Sequence, residues 1–202
     1  MLPALLLIFA ATLYRVGYAV AGAPAEWANF SPLASLLLCG AAYWPRPYAL
    51  LLGAGPVVVA DLLLNVHYHA PLIDTGIFSR YFSFWLILFL GFQVKKQRSH
   101  KMLFLFLSAF ASSFLFYLIT NTGAWVTMPD YPKTPAGWWL ALTVGLPAFP
   151  STISFFRNTV FSDLFFTVLF VVAQAIKLDT SRARVTEAAP SEVRIPTQRR
   201  QS

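Results

Sequence analysis

A group of charged and amide side chains interrupts an apolar stretch near the end of this chain. The stretch FFRNTVFSDLFF, residues 155–166, carries Arg157, Asn158 and Asp163 and has two phenylalanines at each end. An ionised side chain at mid-bilayer costs about 2.5–3.5 kcal/mol, so such groups pair with one another or line a wet cavity. The pattern predicts a polar site, where a guanidinium and amides can bind a small polar or anionic solute.

Further candidates for this site lie near the same end of other predicted helices. The amides would orient a solute, Arg157 would supply charge and donors, and a tryptophan would supply a stacking face. The predicted solute-binding residues are Asn29, Asn121, Trp125, Arg157 and Asn158.

A second set is predicted to form a buried polar frame, which consists of Arg15, Asp61 and Asp163. These three residues lie at comparable depth, and an arginine between two carboxylates would neutralise them. Arg157 and Asp163 are six residues apart, so they face different sides of a continuous helix. We expect Arg157 at the outer rim and Asp163 deeper, bonded to Arg15 and to the hydroxyl of Thr159. The alternative is that these charges only tie helices together.

The two histidines and the acidic residues near them are of types that bind metals, but their spacing does not match a known metal-binding motif. His67 and His69 lie near Asp61 and Asp74, but no matching ligand pair occurs elsewhere. No nucleophile motif or phosphate-binding glycine loop is present either. We therefore predict no metal, no cofactor and no enzymatic activity, with a membrane-embedded enzyme using Asp61 or the histidine pair as the remaining alternative.

The elements that must position these residues are membrane helices. The 202 residues are 57% hydrophobic and 11% charged, with a mean hydropathy of +0.62, whereas a soluble domain carries about 25% charged residues. A spanning helix needs roughly 20 residues. The chain is therefore predicted to be an all-α membrane protein with about six transmembrane helices. These are Leu2–Gly22, Pro32–Trp44, Tyr48–Asn65, Ser79–Val94, Lys101–Asn121 and Asn158–Lys177, of which the second is short and the third is kinked at Pro56.

Basic residues predict the orientation. They cluster at 95–101, between the fourth and fifth helices, and again after Lys177. Because basic residues favour the cytoplasmic side, both termini are predicted to be cytoplasmic, in a multi-pass protein of the inner membrane. The first segment is expected to be retained as a helix, since it lacks the basic start of a signal peptide. Thr134–Leu146, which contains Trp138 and Trp139, is a candidate interfacial helix.

Two units follow from this pattern. Residues 1–178 are predicted to form the membrane domain. Residues 179–202 are polar and charged, and they are predicted to be a disordered cytoplasmic tail because they have little apolar surface to bury.

Four stretches together resemble an uncharacterised, domain-of-unknown-function family of small bacterial membrane proteins. They are NFSPLASLLLCGAAYW (29–44), ADLLLN (60–65), TNTGAWVTMPDYPKTPAGW (120–138) and FFRNTVFSDLFF (155–166). That family in turn resembles the S components of energy-coupling-factor transporters, which are six-helix proteins that capture vitamins or similar small molecules from outside. The resemblance implies candidate polar positions at Asn29, Asp61, Asn121, Trp125, Arg157, Asn158 and Asp163.

These observations favour a substrate-binding or transport subunit that captures a small polar solute from the outer side. The partners expected are the lipid bilayer, the solute and an energising transporter module, and not nucleic acid. The inner part of the first helix, LPALLLIFAA, lacks the Ala-x-x-x-Ala pattern by which S components dock that module. A structural or assembly membrane protein without a ligand is the alternative.

Overall fold

The computed structural model describes residues 30–188 apart from residues 68, 70, 72–74 and 148. It also describes positions 6, 9, 10, 12–14, 16, 17 and 20–22 of the amino-terminal segment, which are helical as far as Val20. The described part of the chain contains helices and no strands, so the predicted all-α class is confirmed. The helices are α1 (Leu33–Tyr43), α2 (Arg46–His67), α3 (Ile77–Lys96), α4 (Lys101–Thr127), α5 (Pro135–Leu142) and α6 (Thr152–Ala188).

Helix α1 forms the centre of the bundle. Its residues from Leu33 to Ala42 are all buried, and Leu36, Leu37 and Leu38 are at most 1% exposed. A helix that is apolar on every side belongs in the interior of a bundle. The other long helices surround it, so α1 positions whatever lies between them.

Four of the described helices are long and apolar enough to cross a membrane. They are α2, α3, α4 and the Thr152–Ile176 part of α6. Helix α1 is apolar but has 11 residues, about half of what a span needs. The predicted count of six spans therefore stays a prediction.

Side-chain contacts fix the relative directions of the helices. Cys39 meets Thr167 and, about one turn later on both helices, Tyr43 meets Phe170, so α1 and α6 run parallel. Lys95 near the end of α3 reaches the Trp44 carbonyl at the end of α1, so α3 also runs this way. Helices α2 and α4 return in the opposite direction. The alternation expected from short connections therefore holds for the described helices.

Helix α2 deviates from regular geometry before its proline. A kink was predicted at Pro56, but the change lies one turn earlier, where residues Ala49–Ala54 form wider π-helical turns. The proline has no N–H and its ring crowds the carbonyl four residues back. Widening the preceding turns removes that conflict, and Gly55–His67 continues as an α-helix.

Helices α5 and α6 also refine the prediction. Helix α5 begins after Thr134, whose hydroxyl accepts from the Gly137 N–H at 3.1 Å, so a side-chain cap sets its start. Helix α6 stays helical to Ala188, past the predicted end at Lys177. The extra residues include alanine, arginine and glutamate, and extending an existing helix through such residues costs little.

Candidate functional site

A cleft opens where α1, α2, α3, α4 and α6 meet. Its volume is about 60 Å³, which suits a small molecular group. Among the described residues, two carboxylates and one guanidinium line it, together with hydroxyls and aromatic rings. The described lining residues are Ser31, Leu33, Ala34, Asp61, Arg80, Phe84, Phe116, Thr159 and Asp163.

Asp61 and Arg80 form an ion pair at this cleft. Arg80 Nη2 lies 3.2 Å from Asp61 Oδ2, and the side chains are 23% and 18% exposed, respectively. The Tyr81 hydroxyl donates to the same carboxylate oxygen at 3.3 Å. The pair links the second half of α2 to the start of α3, and Arg80 makes further interactions. The described charge partner of Asp61 therefore lies on α3, and the predicted frame of Arg15, Asp61 and Asp163 stays a prediction.

Asp163 is the most deeply buried charged residue of the cleft. It is 1% exposed, and its Oδ2 accepts a 2.7 Å hydrogen bond from Ser113 Oγ. The backbone N–H of Ser35, in the first turn of α1, also lies beside the carboxylate. Oδ1 has no hydrogen-bond partner among the described residues. No described cation lies within ion-pair distance of Asp163.

Of the two predicted partners of Asp163, the structure describes one. Thr159 donates to the Phe155 carbonyl at 2.9 Å, one turn back along its own helix, and does not bond to Asp163. Arg15, the other predicted partner, lies outside the described residues, as does Asn29. The polar stripe itself is buried as expected, since Thr159, Asp163 and Thr167 are at most 9% exposed.

The cleft also has an aromatic wall and an unpartnered hydroxyl. The rings of Phe84 and Phe116 stack with centroids 5.6 Å apart and planes 21° apart. The Ser31 carbonyl accepts from Ser162 at 3.1 Å. The hydroxyl oxygen of Ser31 is buried without a hydrogen-bond partner in the described part of the chain. The cleft thus combines a flat apolar surface with two unpartnered polar atoms, Ser31 Oγ and Asp163 Oδ1.

A second crevice adjoins the first between α3 and α4. Its volume is about 290 Å³, and it shares Arg80 and Phe116 with the cleft. Its other lining is mostly small and hydroxylic: Thr75, Gly76, Ser79, Thr120, Ala124, Thr127 and Met128. Because Arg80 lines both openings, it lies between the wide outer crevice and the small inner cleft.

Arg157 and Asn158 do not line either opening. Arg157 is exposed, whereas Asp163 is buried, as expected for residues on different sides of α6. Arg157 Nη2 donates to Asn158 Oδ1 at 3.5 Å. Asn158 is 6% exposed and makes further interactions. The two residues meet each other beside the start of α6.

Asn121 and Trp125 also contact backbone and do not line the cleft. Asn121 Nδ2 donates to the Tyr117 carbonyl at 2.7 Å, within its own helix. Trp125 Nε1 donates to the Pro132 carbonyl at 2.9 Å, which holds the loop after α4. Lys133 returns from that loop to the carbonyls of Trp125 and Met128. These contacts cap the end of α4.

The loop after α4 contains a titratable group outside the membrane helices. Tyr131 is 6% exposed. Burial raises its pKa, and the nearby negative charge of Asp130 raises it further. Tyr131 therefore stays protonated and neutral, which suits a packed loop.

Sequence reasoning missed Arg80 as a member of the site. It lies near the start of α3 and opposite Asp61, a pairing that spans two helices. The sequence signal for this pair was its predicted depth in the membrane, because Asp61 and Arg80 both lie near the loop that joins α2 to α3. His67 ends α2 and His69 has a left-handed backbone at φ 51°. Among the described residues, no three His, Cys, Asp or Glu side chains cluster as metal ligands would.

Comparison with known proteins gives a family and no biochemical role. No curated protein and no solved structure matches the chain significantly. The model of one family, described as a family of unknown function, matches residues 1–185. Since this match covers nearly the whole sequence, the chain belongs to that family, DUF6580.

Proposed function

We propose that this protein is a substrate-binding subunit of a membrane transport system. It would lie in the cytoplasmic membrane with both termini inside and capture a small polar solute from the outer side. The proposal rests on one observation: a small cleft among the helices is lined by a buried carboxylate, Asp163, whose Oδ1 has no partner in the described structure. Ligand pockets combine apolar walls with a few convergent polar groups in this way.

The residues of the cleft would have different roles in binding. Ser31 and Asp163 would bind the polar part of the solute, and the stacked rings of Phe84 and Phe116 would contact its apolar part. The Asp61–Arg80 pair, shared with the wider crevice, would lie on the entry path. Arg157, exposed beside the start of α6, would act at the outer rim. The likeness to S components adds an energising module as a candidate partner.

A second candidate function is a structural or assembly protein without a ligand. The observation that favours it is the contact between Asp163 and the Ser35 N–H. A carboxylate at a helix N-terminus is stabilised by the helix dipole, so Asp163 could serve only to join α6 to α1.

A cleft-filling variant separates these functions. Ala34 lines the cleft, whereas Ala124 lines the outer crevice. Full-length wild type, Ala34→Leu and Ala124→Leu would be purified in native-lipid particles and extracted for mass spectrometry. We expect a small molecule that accompanies wild type and Ala124→Leu and is at least tenfold depleted in Ala34→Leu. Equal recovery from wild type and Ala34→Leu would contradict binding in the cleft, and recovery of none would favour the structural function.

A further inference from the structure

We infer that the cleft binds an ammonium group of an organic solute, with Asp163 as its counter-ion. The inference rests on the proposed function and names its substrate class. The sequence alone suggested a polar or anionic solute, because Arg157 and Arg15 were the expected contacts. The arrangement of charges in the cleft favours the opposite sign.

The charges of the described lining residues do not balance. Asp61 and Asp163 are both acidic, and Arg80 is the one basic residue among the described lining residues. Arg80 pairs with Asp61 at 3.2 Å, so that guanidinium already faces a carboxylate. Asp163 has no described cation partner, so the N-terminus of α1 would offset the charge of its ionised form only in part, because a helix end carries about half a positive charge.

Asp163 is also too deeply buried for solvent to satisfy it. It is 1% exposed, one oxygen accepts from Ser113, and the other has no hydrogen-bond partner in the described structure. A buried carboxylate normally acquires a cation or further donors, because an unpaired charge is costly there. An ammonium group carries three N–H donors and could serve Asp163 Oδ1 and the unpartnered Ser31 Oγ together.

The remaining lining favours an organic cation over a metal ion. Hard metal cations take six or more oxygen ligands. In the described lining, one Asp61 oxygen already meets Arg80 and Tyr81, and the Thr159 hydroxyl donates to the Phe155 carbonyl, so fewer than six side-chain oxygens remain available. The other surface is aromatic, and a cation within about 6 Å of a ring face is attracted to it. The rings of Phe84 and Phe116 therefore suit the ammonium group and the carbon atoms attached to it.

An anion would find little free positive charge in the same place. Arg80 faces Asp61, and Arg157 is exposed and is not part of the lining. An anion that entered would also approach the Asp163 carboxylate. Like charges close together in a desolvated site repel strongly.

The test uses methylammonium as the probe and acetate as its anionic counterpart. The purified full-length chain in phosphatidylcholine discs would be dialysed to equilibrium against each radiolabelled ion at fixed ionic strength. We expect saturable methylammonium binding that equimolar sodium does not displace, and no saturable acetate binding. This comparison needs wild type alone, so it does not depend on any variant folding.

The variants identify the counter-ion. Asp163→Asn keeps an acceptor for Ser113 but removes the charge, and it should weaken methylammonium binding at least tenfold. Asp130→Asn makes the same change in the exposed loop after α4 and should leave binding within twofold of wild type. Size-exclusion profiles and thermal unfolding check that both variants remain folded.

Several results would overturn the inference. Methylammonium binding retained by a folded Asp163→Asn variant would exclude the counter-ion role, and displacement by sodium would indicate an alkali-ion site. Acetate binding lost in Arg80→Gln would show an anion site, and the proposed function would then survive without the cationic class. If neither ion binds and no molecule depends on Ala34, both proposals fail.

Discussion

At the scale of single residues, the side chains that pair with each charged residue matter more than the number of charged residues. Asp61 and Asp163 line one cleft, yet Asp61 meets Arg80 and Tyr81 while Asp163 meets Ser113. The first pair is partly exposed and its charge is compensated. Asp163 is buried, so the lack of a described cation or further donor costs more free energy at Asp163 than at Asp61. Replacing Asp61 with a neutral residue and replacing Asp163 with a neutral residue are therefore expected to have different effects.

The Asp61–Arg80 pair can be measured by a double-mutant cycle. We expect a coupling free energy of about 1 kcal/mol, the upper part of the range for accessible ion pairs. Unfolding of wild type, Asp61→Asn, Arg80→Gln and the double variant would be followed in detergent. Arg80→Gln should cost more than Asp61→Asn, because Arg80 makes further interactions. A coupling of zero would show that the pair does not link α2 to α3.

At the scale of elements, close approach of helices sets the shape of the bundle. A Cβ atom on Gly91 of α3 would lie 2.5 Å from the Leu38 carbonyl oxygen and 2.6 Å from Ala41 Cβ. The backbones of α1 and α3 can therefore meet only if residue 91 has no side chain. Small residues permit such contacts between membrane helices.

Gly91→Ala should destabilise this contact by roughly 1–3 kcal/mol, because the added methyl meets a backbone carbonyl that cannot move alone. Gly55→Ala is the matched control, since a Cβ there meets nothing within 4 Å. Alanine favours a helix over glycine by about 0.5–1 kcal/mol, so the control should be neutral or slightly stabilising. Thermal unfolding in detergent measures both, and equal effects would contradict a tight α1–α3 contact.

At the scale of the whole molecule, the bundle has two chemically different ends. Where α1 ends, Lys95 and Lys101 donate to the carbonyls of Trp44 and Ala42. Lys101 also lies 4.1 Å above the Tyr43 ring. These cations complement the negative end of the helix dipole. The cleft lies toward the opposite end, where α1, α3 and α6 begin, so basic residues and the cleft are separated along the bundle.

The orientation in the membrane follows if basic residues stay inside. A reporter fused after Ser202 or inserted near Ser99 should report the cytoplasm, and one inserted near Asp130 should report the outside. The short loop containing Ser99 joins α3 to α4 at the basic end, and Asp130 lies in the loop after α4. A cytoplasmic signal at Asp130 would place the cleft on the inner side and contradict capture from outside.

Sequence patterns predict the helical class, the separation of basic and polar ends, and the buried stripe on α6. These features depend on local composition and on the 3.6-residue period, both of which are readable along one helix. Spacing alone therefore placed Arg157 and Asp163 on different sides of α6, where the structure has one exposed and the other buried.

Which side chains meet depends on the packing of the folded bundle and is not readable from the sequence. Asp61 pairs with Arg80 of the next helix, and Asp163 meets Ser113 and the first turn of α1, which are distant in sequence. Asn121 and Trp125 bond to nearby carbonyls instead of lining the cleft. Composition shows that a buried charge needs a partner. The choice of partner depends on how the helices are rotated and how deeply each is set against its neighbours, and these quantities follow from the packing of the whole bundle.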